Sequence, residues 1–334
     1  MSKRVSGKEA NMKYSVILGN LGNTCDRFLS SGYKEQLPKA EMIRQAAAIE
    51  GVKGVELVGV WDVTPQNVDE VGGLLSKHGL QCVSIIPDHF SQKRWGKGAF
   101  VSKDPSIRAQ ALDETLAAAE MARKLKCPLV NLWPGQDGYD YIFQSDYRAE
   151  RRWTIEAVKT AAKAYPDIRF SLEYKPKEPR THSTWARAAD TLLVARETGL
   201  PNVGVTIDTG HSLAGGENMA EAAVILSDYG SKLFHLHFND NYRSWDDDMI
   251  VGAVHFAEFL ELLFWLREVG YDGWYSMDQY PYREDGQAAI RSSVEFLRGL
   301  ETMLDGSMDE LRAIIASGDP IKYTAWVRSK LFRG

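Results

Sequence analysis

Val203-Gly204-Val205-Thr206-Ile207-Asp208-Thr209-Gly210-His211 is a short β-branched run that ends in a carboxylate and, three residues on, an imidazole. Such a run, too short for a helix, predicts a strand. Its polar end marks the residues to examine for chemistry. Working outward, comparable runs recur at Tyr14–Gly19, Gly54–Val60, Gln81–Ile86, Leu129–Leu132, Ile168–Leu172, Leu233–Phe238 and Trp274–Met277. Between them lie amphipathic stretches with apolar residues at i, i+3 and i+4, as in Ala111–Leu125, Thr154–Ala164 and Phe256–Val269. Gly, Asn and Pro punctuate the junctions. Eight strand–helix alternations with no long polar linker predict a closed α/β barrel, the (β/α)₈ TIM barrel, over residues 13–304. Residues 1–12 read as a flexible polar tail without the apolar run of a signal peptide. Residues 305–334 read as a C-terminal helical extension, with helices over Met308–Ala316 and Ile321–Leu331. Ile321, Tyr323, Trp326, Val327 and Phe332 make it too apolar for a free tail, so it should pack on the barrel or on a neighbouring subunit.

Composition narrows the function. Hydrophobic residues at 44% and charged residues at 25% are the balance of a globular chain and exclude wholesale disorder. A net charge of -5 and the lack of a basic stripe argue against a nucleic-acid partner. The longest apolar stretch, Phe256–Val269, contains Glu258, Glu261, Arg267 and Glu268, so no membrane span is expected. The three cysteines, Cys25, Cys82 and Cys127, form no CxxC pair and read as reduced core or near-core residues of a cytoplasmic protein.

In a (β/α)₈ barrel the loops after the strands form the active face. Strand five ends in Leu172-Glu173-Tyr174-Lys175 and strand six in Ile207-Asp208-Thr209-Gly210-His211. Strand seven supplies His235-Leu236-His237, followed by Asp246-Asp247-Asp248, and strand eight ends in Met277-Asp278-Gln279. Glu173, Asp208, Asp246, Asp248 and Asp278 would bring five negative charges to one rim. Burying them together is prohibitive without compensating cations, and two divalent ions plus Lys175 would balance them. Oxygen-rich ligands with two imidazoles suit Mn²⁺ best, with Mg²⁺ or Co²⁺ as substitutes.

At these residues the chain resembles the xylose isomerase-like TIM-barrel superfamily and, within it, the L-rhamnose isomerase branch. The likeness runs from about Gln81 to Asp285. It is carried by Asp88-His89-Phe90, Leu132-Trp133-Pro134-Gly135-Gln136-Asp137-Gly138, Leu172-Glu173-Tyr174-Lys175-Pro176-Lys177-Glu178-Pro179, Asp208-Thr209-Gly210-His211, His237-Phe238-Asn239-Asp240 and Trp245-Asp246-Asp247-Asp248. The resemblance implies that Glu173, Asp208, His237 and Asp278 hold a first metal. It implies that Asp208, His211, Asp246 and Asp248 hold a second, with Asp208 shared. It also implies that Lys175 polarises a sugar carbonyl and that Trp133 walls the site, with Phe90 and His89 near the substrate. Glu173, Lys175, Asp246 and Asp278 would then be the catalytic set of a metal-dependent aldose–ketose isomerase. Two Lewis acids on adjacent sugar oxygens suit that chemistry. The habits of similar enzymes imply a homodimer or homotetramer.

One departure stands out. Related isomerases carry a histidine at the end of strand two that helps open the sugar ring, whereas here the stretch reads Glu56-Leu57-Val58-Gly59-Val60-Trp61-Asp62. His89 is the nearest replacement. Two other reactions fit the same superfamily. One is a mononuclear ketose 3-epimerase using Glu173 and Asp278 as an acid/base pair, a branch in which an arginine also follows the metal histidine at the spacing of Arg243 from His237. The other is a metal-dependent lyase or deglycosidase acting on 3-keto sugars. A DNA-repair endonuclease would want more histidines and a basic groove.

Overall fold

A computed structural model describes residues 12–25 and 28–332. Among them, eight parallel strands close a barrel: β1 (Lys13–Ile17), β2 (Val52–Val58), β3 (Gln81–Ile86), β4 (Leu129–Leu132), β5 (Arg169–Glu173), β6 (Val203–Asp208), β7 (Leu233–Phe238) and β8 (Trp274–Met277). Each strand pairs with its sequence neighbours, and β8 closes on β1. The fold is the expected (β/α)₈ barrel with a C-terminal helical part. Except for Met12, the expected N-terminal tail lies outside the described residues. Strand β5 runs one residue further than its apolar run suggested, because Glu173 still pairs with Thr206 of β6.

Alternate residues on a strand point to opposite faces, and here the two faces differ sharply. One set is apolar: Val55, Leu57, Val130, Leu132, Phe170, Leu172, Val205, Ile207, Leu236 and Phe238 share a core with helix residues such as Ala118, Val158 and Leu263. The other set is polar and fully buried: Ser15, Glu56, Ser84, Asn131, Ser171, Thr206, His235 and Ser276. His235 Nε2 lies 2.7 Å from Glu56 Oε1, joining β7 to β2. Those strands are not neighbours in the barrel, so the bond crosses the lumen. Similarly, Thr206 Oγ1 of β6 donates to Asn131 Oδ1 of β4 at 2.6 Å and shares a hydrogen with Ser171 Oγ. Such pairing matters in a lumen lined this way, since an unpaired buried polar group costs about 1–3 kcal/mol, and among these lumen residues only the Ser15 hydroxyl is without a partner.

Register sets the level of the strand ends. Asp208 pairs with His237, and His237 with Ser276, so Asp208, His237 and Asp278 come to the same rim. Beyond the helix Gly286–Leu304, helices Met308–Ser317 and Pro320–Leu331 pack back on the barrel. Leu311 and Trp326 are buried, Trp326 Nε1 donates to Glu310, and Arg312 pairs with Glu268 of the helix Phe256–Glu268. Ile321 and Phe332 remain exposed. Among the described residues no helix is long and apolar enough to cross a membrane; all three cysteines are free, and Cys82 and Cys127 are buried as expected, but Cys25 is exposed rather than in the core.

Candidate metal centre

Two groups of side chains at the C-terminal rim bring ligand atoms within 4.8 Å of one another: Glu173, Asp208, His237 and Asp278, and Asp208, His211 and Asp246. Asp208 belongs to both. Its place follows from local structure, since it ends β6 and caps the short helix Thr209–Ala214, accepting from His211 N at 2.8 Å. One helical turn then brings His211 back over the same spot. The loop after β7 closes in through Gly210, where a Cβ would stand 1.9 Å from Asn239 Oδ1 and 2.9 Å from Asp246 Oδ1. Any side chain at residue 210 would displace the Asn239 and Asp246 side chains. Asp240 holds the loop at its base, accepting from the backbone of Val254 and His255 and pairing with His255 Nδ1 at 2.7 Å.

The distances within the cluster are those of groups arranged around something else. His237 Nδ1 lies 3.1 Å from Asp278 Oδ2 and 3.4 Å from Glu173 Oε2. His211 Nδ1 lies 3.4 Å from Glu173 Oε1, and His211 Nε2 lies 3.1 Å from Asp246 Oδ2. His211 Nδ1, His237 Nδ1, Asp246 Oδ1 and Asp278 Oδ1 are buried with no partner in hydrogen-bond geometry. Orphaned lone pairs of imidazole and carboxylate facing one another form the donor set a divalent cation takes, so these residues fit a metal.

Charge tells the same story. Burial pushes the Asp208 carboxyl up to about 7, helped by Asp246, Asp278 and Glu173. Burial likewise raises Asp278, and burial with Asp246 beside it raises Asp248 well above the usual carboxylate range. Desolvation alone would lower His211, but Asp208 and Asp246 outweigh it and hold the ring at about 9. His237, against the same desolvation, is held well above its ordinary value by Glu173 and Glu56. Without cations the cluster therefore keeps protons in their place. Those protons must leave before the atoms can ligate, so Mn²⁺ affinity should climb between about pH 6 and pH 9. Calorimetry in two buffers of different ionisation enthalpy would count the protons released; an affinity flat across that range would contradict the cluster's role.

A family model described as xylose isomerase-like TIM barrel matches residues 43–300. The chain belongs to that family. Among curated relatives, the xylose isomerase of Thermus thermophilus is 27% identical over 292 residues, covering 83% of this chain and 75% of the relative. The xylose isomerase of Thermus caldophilus is 26% identical over 65% of this chain and 57% of its own length, so the chain spans little more than half of it. Among solved structures, the 3-keto-D-glucoside 4-epimerase of E. coli superposes with a TM-score of 0.66 at 19% identity, covering 86% of this chain and 99% of that one. The D-allulose 3-epimerase of Methylomonas sp. gives 0.67 at 17%, covering 86% and 96%. At these identities the likeness to solved structures is one of fold.

Within this xylose isomerase-like barrel the remaining expected site residues fall into two classes. Lys175 Nζ lies 2.9 Å from Asp246 Oδ2, 3.3 Å from Glu178 Oε2 and 5.2 Å from the Trp133 ring centre. Phe90 packs on Trp133 with ring centres 4.7 Å apart, and Trp133, Glu173 and Lys175 line one cleft with Asp137, Thr184 and Trp185. Asp248 sits among the charges of Asp246, Lys175 and Asp278, but its carboxylate is in neither ligand group; its backbone is left-handed, with φ 50°.

His89 does not sit where the sequence suggested. It is fully buried in a separate apolar cluster, edge-on to Trp95 and Phe100, with Nε2 against Ala111 O at 3.1 Å. Desolvation there lowers it to about 4, so it is neutral and engaged elsewhere. It is not among the residues lining the Trp133–Glu173–Lys175 cleft. Arg243 also turns away: its backbone is left-handed, with φ 68°, and its guanidinium bonds His255 Nε2 and Glu258. Sequence reasoning overlooked Glu56, whose carboxylate lies beneath His237, 3.3 Å from Nε2.

Proposed function

We propose that this chain is a metal-dependent aldose–ketose isomerase acting on a small neutral sugar, with two divalent ions, Mn²⁺ foremost, at the barrel mouth. The observation that carries this reading is the second ligand group, Asp208, His211 and Asp246, with the Lys175 ammonium beside it. Divalent ions bound there would stabilise negative charge developing on two adjacent sugar oxygens.

The chain's own residues supply the rest. Desolvation would lower Lys175, yet Asp246, Glu178 and Asp248 keep it above its ordinary value. Lys175 is therefore a fixed cation that donates to a carbonyl oxygen rather than a base. Asn131 Nδ2 donates to Glu173 Oε2 at 2.6 Å and fixes that carboxylate's orientation. Trp133 and Phe90 form an aromatic wall that keeps water from the reacting carbons. Lys175 is already balanced by two carboxylates, and it is the one cation among the described residues lining the cleft. That favours an uncharged sugar over a sugar phosphate. The resemblance to the L-rhamnose isomerase branch makes deoxyhexoses and their ketoses the first substrates to try.

One observation favours a second reading. Glu173 and Asp278 face each other across His237 Nδ1, at 3.4 and 3.1 Å, as an acid/base pair for ketose 3-epimerisation would. The two readings part on Asp246 and the label. An isomerase should lose turnover when Asp246 and Asp248 are both changed to Asn, and should move hydrogen between C1 and C2 with little deuterium uptake from ²H₂O. Full turnover in the double variant, with deuterium entering C3, would replace isomerisation by epimerisation.

A further inference from the structure

Glu56 is a fully buried carboxylate with no role in the chemistry described above. Four donors converge on it: Ser84 Oγ of β3, Ser276 Oγ of β8, His235 Nε2 at 2.7 Å and His237 Nε2 at 3.3 Å. A carboxylate offers about four lone-pair positions, and these four groups occupy them. An ionised carboxylate only accepts, so the nitrogen that His237 turns towards it must carry hydrogen. The other ring nitrogen, Nδ1, is then left to face Glu173 and Asp278, where it has no hydrogen-bond partner.

We propose that Glu56 is a positioning residue. Through His237 Nε2 it fixes the ring's tautomer and tilt, so that the Nδ1 lone pair points into the Glu173–Asp208–Asp278 group. The serines explain why the carboxylate stays in place: they tie it from β3 and β8, the strands that flank the β2–β1 pair. A metal-bound imidazole is generally oriented by a partner on its other nitrogen, and loss of that partner weakens metal binding roughly 10- to 100-fold. The inference rests on reading Glu173, Asp208, His237 and Asp278 as a cation site. It explains why β2 carries a glutamate at a level where its chemistry is not needed for substrate. It also gives the serines at 84 and 276 a task.

The test uses Mn²⁺ alone on metal-stripped full-length protein, with calorimetry on wild type, Glu56→Gln and Asp278→Asn. In Glu56→Gln one of the two ions should bind roughly 10- to 100-fold more weakly while the other is unchanged. Independently, ¹⁵N–¹H spectra of Mg²⁺-loaded wild type should show the His237 ring protonated at Nε2 and not at Nδ1, with the signal assigned by its loss in His237→Asn. This measurement decides the matter even where Glu56→Gln fails to fold. A ring protonated at Nδ1, or unaltered affinity for both ions in a folded Glu56→Gln, would overturn the proposal. Wild type that takes up no Mn²⁺, or an Asp278→Asn variant that binds both ions as wild type does, would instead overturn the site reading beneath it.

Discussion

Replacing Asp208 with Asn should leave a folded barrel that neither holds two ions nor turns over sugar, with activity down by about 10³-fold or more. Asp208 is the one side chain common to both ligand groups at the rim. Asparagine keeps its shape, and its carbonyl oxygen can still accept from His211 N, so the cap of the Thr209–Ala214 helix survives. What is lost is a negative charge at the point where the two ligand groups meet. The metal-free variant should also gain stability above neutral pH. Burial pushes the Asp208 carboxyl up to about 7, so the folded state holds that proton between its ordinary range and 7. For wild type the stability from this group is present at low pH and is lost as pH rises through 7; the variant has no such loss. Turnover, Mn²⁺ stoichiometry and thermal unfolding with EDTA are the measurements. Two ions bound, with activity within about tenfold of wild type, would sink the shared-ligand role.

Lys175→Met should cut turnover by roughly 10²- to 10³-fold while both ions stay bound, if Lys175 takes the role proposed for it, on the substrate and not on the metals. Its ammonium lies 2.9 Å from Asp246 and is held charged by that carboxylate against the pull of burial. The wild-type rate should therefore show no alkaline limb from this lysine. Arginine should not rescue it. The Trp133 ring, 5.2 Å away, and Glu178 at 3.3 Å leave space shaped for a compact ammonium. Steady-state kinetics with metal analysis would check this; near-normal turnover in Lys175→Met would remove the lysine from the mechanism.

How much of this was legible in the sequence follows from how each feature is determined. The strands were legible because local patterning makes them. Gln81–Ile86, Leu129–Leu132, Leu233–Phe238 and Trp274–Met277 are bounded as their apolar runs are. The acids at strand ends were legible for the same reason, since a run that stops at Glu173 or Asp208 stops at the rim. Residues whose partners are set by closure of the barrel were not. Glu56 looked like an ordinary strand residue, although it sits in phase with the polar positions of its neighbours and pairs in register with Ser84. Its partners on β7 and β8 lie across the ring, where no local spacing points. His89 misled because the loop after β3 buries it against Trp95 and Phe100. The spacing of Arg243 from His237 did not reveal its partners, His255 and Glu258, which lie on the segment after the loop.

The polar lumen has a consequence for how such an enzyme could be altered. In many barrels of this kind the stem is an inert plug of branched aliphatic side chains, and the catalytic loops can be exchanged on top of it. Here scaffold and chemistry are not separable modules, because Asn131 reaches up to Glu173 and Glu56 to His237. Grafting these loops onto an oily stem would transplant the acids without the residues that aim them. Repacking this stem with leucine and valine would blunt the centre from below, with every ligand still in place.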